Sequence, residues 1–97
     1  MIVEARIGFL ELDIHVPQAT SLKDKRRHIK SFRDTIRSRF NVSVAEVGDA
    51  DLWQRIHLAV CMVANEEAII RETFRQVMAV IEHDAEVEIL EQHIEFF

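Results

Sequence analysis

Apolar and polar residues alternate from residue 2 to residue 16. Leu10, Leu12, Ile14 and Val16 share one phase; Phe9, Glu11, Asp13 and His15 share the other. A period of two sends successive side chains to opposite faces, so this segment predicts a strand with one face in the core. Upstream of Gly8 the apolar phase switches to Val3, Ala5 and Ile7. A bulge or twist at Gly8 would produce that switch, as would a strand end buried on both faces. Pro17 has no N–H to give a ladder and ends the strand. Ser21 followed by Asp24 has the form of a capping box, with Asp in place of the usual Glu. From Leu22 the period becomes helical: Leu22, Ile29, Phe32, Ile36 and Phe40 occupy one sector of a wheel, which predicts a helix to about Phe40.

Asn41 supplies a stop, and Val42 to Val47 reads as a short strand closed by a turn at Gly48-Asp49-Ala50-Asp51. Arg55 to Ala64 alternates again, with Ile56, Leu58, Val60 and Met62 inward and His57, Ala59, Cys61 and Val63 on the other face. Asn65 suits an N-cap, with Glu66 and Glu67 at the positive end of a helix dipole. That second helix extends to about Glu82 and buries Ile70, Phe74, Val77 and Ile81; residues 86–96 form the last strand. The order β-α-β-β-α-β, with two right-handed crossovers and one hairpin, predicts a ferredoxin-like α+β sandwich. Its four-stranded antiparallel sheet carries both helices on one face, in a single domain over 1–97.

Composition narrows the class. The chain has 97 residues, 48% hydrophobic and 30% charged, which is ordinary for a globular domain. Its one cysteine, Cys61, excludes an intrachain disulfide and agrees with a cytoplasmic protein. The start lacks the basic region of a signal peptide, and no apolar run reaches membrane-spanning length, so no membrane role is expected.

Charge adds a more specific feature. The formal net charge is −5, which argues against indiscriminate binding to nucleic acid. Yet Ser21 to Phe40 holds eight of the twelve Lys and Arg residues against two acids, Asp24 and Asp34, and so carries +6. On the wheel Lys23, Arg26, Arg27, Lys30, Arg33 and Arg37 fall on one flank beside the apolar sector. Asp24, His28, Ser31, Thr35 and Ser38 take the other flank. Lys25 alone points into the apolar sector; it either snorkels past the core edge or pairs with a strand carboxylate.

The runs HVPQATSLKDKRRHIKSF, RFNVSVAEV and DLWQR, in this order and spacing, resemble the YlxP-like family. These are small bacterial proteins classed as a domain of unknown function. The likeness extends from about Gly8 to Leu90. It implies a ferredoxin-like fold. It also implies a place near RNA or the ribosome, because genes of the family often lie beside those for NusA, translation initiation and ribosome maturation. It supplies no catalytic residues.

Of the candidate surfaces, the basic flank has the footprint of phosphate-backbone binding. The plainer reading is a solvated helix whose cations balance an acidic body, some of them pairing with the second helix. The open sheet face offers one aromatic, Phe9, two acids and no cation among its positions on the first and third strands. That is a poor base-stacking platform. Phe9, His57 and Cys61 there suit contact with another subunit or protein, and a homodimer through this face or an edge strand is the preferred use. Trp53 either anchors a partner or closes the end of the core. Arg55 is expected to pair with Asp51 or Glu46. His15, His57, Glu11 and Asp13 lack zinc-site spacing, so no metal or cofactor is expected. Acylphosphatases share this size and topology but cradle phosphate in a glycine-rich loop, whereas residues 17–21 contain neither glycine nor arginine. With no catalytic constellation, the chain reads as a non-enzymatic binding protein. It would contact RNA or a ribosomal assembly through the first helix. The alternative is a protein–protein adaptor using the sheet face and Trp53.

Overall fold

A computed structural model describes residues 4–97. Its elements are β1 (Arg6–His15), α1 (Leu22–Arg39), β2 (Ser43–Glu46), β3 (Arg55–Ala64), α2 (Glu67–Glu82) and β4 (Glu88–Phe96). The strands form one antiparallel sheet in the order β2-β3-β1-β4, the ferredoxin-like arrangement. Because β1 and β3 are central, their inward residues are sealed most completely. Leu10, Leu12, Ile14, Ile56 and Val60 are all fully buried. Against them pack Ile29, Phe32 and Ile36 of α1 and Ile70, Phe74, Val77 and Ile81 of α2, the stripes their helical periods predict. None of the described helices is long and apolar enough to cross a membrane.

The phase switch at Gly8 has a different cause from a bulge. Pairing of β1 with β3 runs without a break from Arg6↔Ala64 to His15↔Arg55, and Gly8 keeps the inward phase. A side chain there would collide with the Ile70 side chain, and its Cβ would lie 3.1 Å from Phe74 Cε2. The inward position is thus filled from α2, and Ile7 points to the outer face, 40% exposed. Val3 and the expected strand start at residue 2 lie outside the described residues. The irregularity of the sheet is on β4, where Asp13↔Glu91 is followed by Ile14↔Ile89 and Leu90 is the extra residue. A bulge on an edge strand breaks the flat template that another chain could pair with.

The helix starts also depart from expectation. Ser21 caps α1 by accepting from the Asp24 N–H at 3.1 Å. The Asp24 carboxylate, however, turns outward to the Thr20 N–H (3.0 Å) and hydroxyl (2.9 Å), so the reciprocal half of the box is made one residue upstream. Those donors, the backbone one first, hold the Asp24 carboxyl below its ordinary value. For α2 the N-cap is Glu66, in extended backbone and without a side-chain cap bond, rather than Asn65.

Lys25 resolves in favour of the carboxylate. It is 1% exposed, and its Nζ donates to the Asp49 carbonyl at 2.7 Å and the Ala50 carbonyl at 3.3 Å. Glu46 Oε2 of β2 lies 3.1 Å away. An ammonium has three donors and here meets three acceptors, which is what makes its burial tolerable. The same contacts pin the β2–β3 loop onto α1. Gln54 fixes the other end of that loop by donating to the Pro17 and Ala19 carbonyls.

Candidate nucleic-acid interface

The wheel's sorting of charge survives in three dimensions. Lys23, Arg26, Arg27, Lys30 and Arg37 are exposed and Arg33 is half-buried, all outside the stripe that packs on the sheet. Three of the six have close partners. Lys30 pairs with Asp34 one turn on, at 2.7 Å, and its hydrogen bond is the main cause that lowers the Asp34 carboxyl pKa. Arg27 lies 3.9 Å from Glu86. Arg37 donates to the Val44 carbonyl on the edge strand β2 at 3.1 Å, covering an otherwise open ladder position. Among the described residues, Lys23, Arg26 and Arg33 have no carboxylate within ion-pairing distance.

Among the described residues no cation of α1 pairs with α2, and two of the acids of α2, Glu67 and Glu72, are taken by its own arginines. Glu67 pairs with Arg71 at 2.8 Å, and Glu72 holds Arg75 through both carboxylate oxygens at 2.6 and 2.9 Å. The Arg75 hydrogen bonds, then that of Gln76, pull the exposed Glu72 carboxyl from the ordinary 4.5 down to about 2. Its pKa is depressed in the folded chain, so its contribution to stability is present above about 4.5 and is lost as pH falls towards about 2. Carbon-detected NMR should therefore find Glu72 titrating near 2. Arg75→Gln should move it up towards the ordinary glutamate range, short of it while the Gln76 bond remains; an unchanged midpoint in the variant would show that Arg75 is not the cause.

The outer sheet face is unsuited to phosphate. Register places Glu11 between Ala59 and His93, and Asp13 between His57 and Glu91. Arg55, the cation on this face, pairs with Asp13 at 3.1 Å rather than with Asp51 or Glu46, because antiparallel pairing brings Asp13 beside it. Phe9, His57 and Cys61 are half-buried between strands. One corner is apolar: Ile7, Val63 and Phe97 are 40%, 58% and 67% exposed, and Ile7 pairs with both Val63 and Phe97 across the ladder. Trp53 does not close the core. It is 51% exposed beside Leu52 at 50%, on the loop pinned by Lys25 and Gln54.

His28, which the wheel assigns to the polar flank, is 6% exposed. Its Nδ1 lies 2.7 Å from Asp84 Oδ2 and its Nε2 3.3 Å from Glu86 Oε2, both on the α2–β4 turn. The turn is braced by the Glu86 N–H donating to Asp84 Oδ1 at 2.9 Å. The sequence signal is faint: His28 sits next to Ile29 and one turn before Phe32, close enough to the stripe to be covered by whatever follows α2.

With this geometry in view, comparison with known proteins is informative about kinship and fold. A family model described as "Protein of unknown function (DUF503)" matches residues 7–94. The "Uncharacterized protein YlxP" of Bacillus subtilis (strain 168) is 33% identical over 82 residues, covering 84% of this chain and 89% of that protein. Among solved structures, the designed protein Foldit4 superposes with a TM-score of 0.54 at 13% identity, covering 97% of each chain. A dimeric ferredoxin-like protein of unknown function from Thermobifida fusca gives 0.51 at 12% identity, covering 100% of this chain and 94% of that one. At such identities these two bear on the fold alone.

Proposed function

We propose that this chain, which belongs to the DUF503 family of proteins of unknown function, is a binding protein that docks helix α1 on the phosphate backbone of structured RNA, free or in a ribosomal assembly. The observation that carries the reading is the exposed flank of α1. Among the described residues Lys23, Arg26 and Arg33 there are left without carboxylate partners, while Glu67 and Glu72 of α2 are consumed within α2. Cations arranged in this way neutralise phosphates and position the protein without reading base sequence. The acidic sheet face confines the contact to the helical side of the molecule. Co-sedimentation with ribosomes and a gel-shift series with structured RNA, both at low salt, test it. Wild type should bind, and the Lys23→Glu/Arg26→Glu/Arg33→Glu variant should lose binding while keeping its helical circular dichroism. Equal binding by the two proteins would sink the reading.

A second reading is favoured by Trp53 and Leu52, two large apolar side chains half-exposed on a loop fixed at both ends. Under it the chain is a protein–protein adaptor or homodimer that uses this loop and the sheet face, and the basic flank only solubilises. Concentration-dependent sedimentation by the free chain, unchanged in the charge-reversed variant, would support this adaptor role.

A further inference from the structure

We infer that His28, Asp84 and Glu86 form a divalent transition-metal site, with Zn2+ as the ion that fits best, clamping α1 to the α2–β4 turn. Each residue offers one donor atom, and these atoms lie within 4.8 Å of one another. The hydrogen bonding assigns their roles. A carboxylate can only accept, so the 2.7 Å contact between Nδ1 and Asp84 Oδ2 places the ring proton on Nδ1. In the neutral ring the Nε2 lone pair then faces Glu86 Oε2 at 3.3 Å. Two electron-pair donors so placed can share a cation between them.

The spacing suits an ion. Ligand atoms about 2.0–2.1 Å from a tetrahedral Zn2+ stand about 3.3–3.4 Å apart, the separation found between Nε2 and Glu86. Asp84 then serves as the carboxylate that fixes the tautomer and orientation of a ligating histidine, a common partner of metal-bound imidazole. An imidazole nitrogen with carboxylate oxygen favours Zn2+ over the hard ions Mg2+ and Ca2+. The ring is already immobilised, with its side chain 8% exposed and Phe32 tilted against it at 6.2 Å between centroids. Glu86 is 54% exposed, which gives the ion a path in and leaves its remaining positions to water. The contact to be displaced is the exposed Arg27–Glu86 pair at 3.9 Å.

The test is titration of the untagged full chain with Zn2+ against a chromophoric chelator, alongside NMR of the His28 ring. One equivalent should bind and move the Nε2 resonance while the Nδ1 proton persists. Glu86→Gln should weaken binding tenfold or more. Asp84→Asn keeps the turn's acceptor and should weaken it by about 10–100-fold, the usual cost of losing such an orienting partner. Both changes are at a solvent-facing turn, and circular dichroism checks that the variants fold. Absence of stoichiometric binding would overturn the site. So would binding unaffected by Glu86→Gln, which would place the ion at His57/Glu11 or His93/Glu95 on the sheet face. Protons on both His28 nitrogens that Zn2+ fails to displace would show instead an imidazolium held between two carboxylates.

Discussion

Lys25→Met should destabilise the chain by about 2–3 kcal/mol, read from the midpoint of urea unfolding at constant slope. Methionine keeps most of the buried stem, so the loss isolates the ammonium. Removing one member of a buried ion pair typically costs about 3–5 kcal/mol, since the other charge stays behind unpaired. Glu46, whose side chain is 27% exposed, can recover some hydration, which lowers the expectation. The Asp49 and Ala50 carbonyls lose their donor as well. Loss of that anchor should loosen residues 47–54, so their amide exchange should quicken more than that of β1 or β3. Glu46→Gln keeps an acceptor for Nζ and should cost less, about 1 kcal/mol. A Lys25→Met effect under about 0.5 kcal/mol, within the range of ordinary surface substitutions, would show that the buried cation is not holding the loop.

Gly8→Val should cost a comparable 2–3 kcal/mol by overpacking, for about 1–3 kcal/mol is typical of extra methyls forced into a full core. The colliding atoms are the Cγ2 methyl of Ile70 and the ring of Phe74, both on side chains that are completely buried. Neither is the free end of a flexible chain, so relief requires α2 to move from the sheet. Gly8→Ala should show a smaller version of the same defect. Ile70→Leu, which conserves volume but removes the branch at Cβ, should be partly compensating in the Gly8→Ala background. A double-mutant cycle by thermal unfolding reads that coupling. Additive costs would mean that Gly8 is not shaped by Ile70.

These two positions also mark where the sequence was and was not legible. Strict alternation in Leu10, Leu12 and Ile14, and helical spacing in Ile29, Phe32 and Ile36, gave the strands, the helices and the connection order that leads to this sheet. Periodicity counts apolar side chains, so an inward glycine looks like a break in phase when it is a place filled from another element. Register, in contrast, depends on pairing across the sheet, and for that reason Arg55 was matched with the wrong carboxylate. The wheel separated the cations of α1 from its packing stripe correctly, because both properties belong to one helix. It could not place His28, whose partner Asp84 is 56 residues away. Nor could it tell that Trp53 faces solvent, since a lone tryptophan beside a strand gives no direction.

The central claim, that the unpartnered cations of α1 meet phosphates, predicts a particular salt dependence. For a protein that neutralises phosphates, the logarithm of affinity falls linearly with the logarithm of salt, by about 0.7–0.9 per contact. The most direct measurement is therefore the affinity for one structured RNA across a salt series, for wild type and for Lys23→Gln/Arg26→Gln/Arg33→Gln. Three lost contacts should reduce the magnitude of the slope by about 2–3 as affinity drops. A slope unchanged by the three substitutions, or no binding by wild type at low salt, would contradict the account.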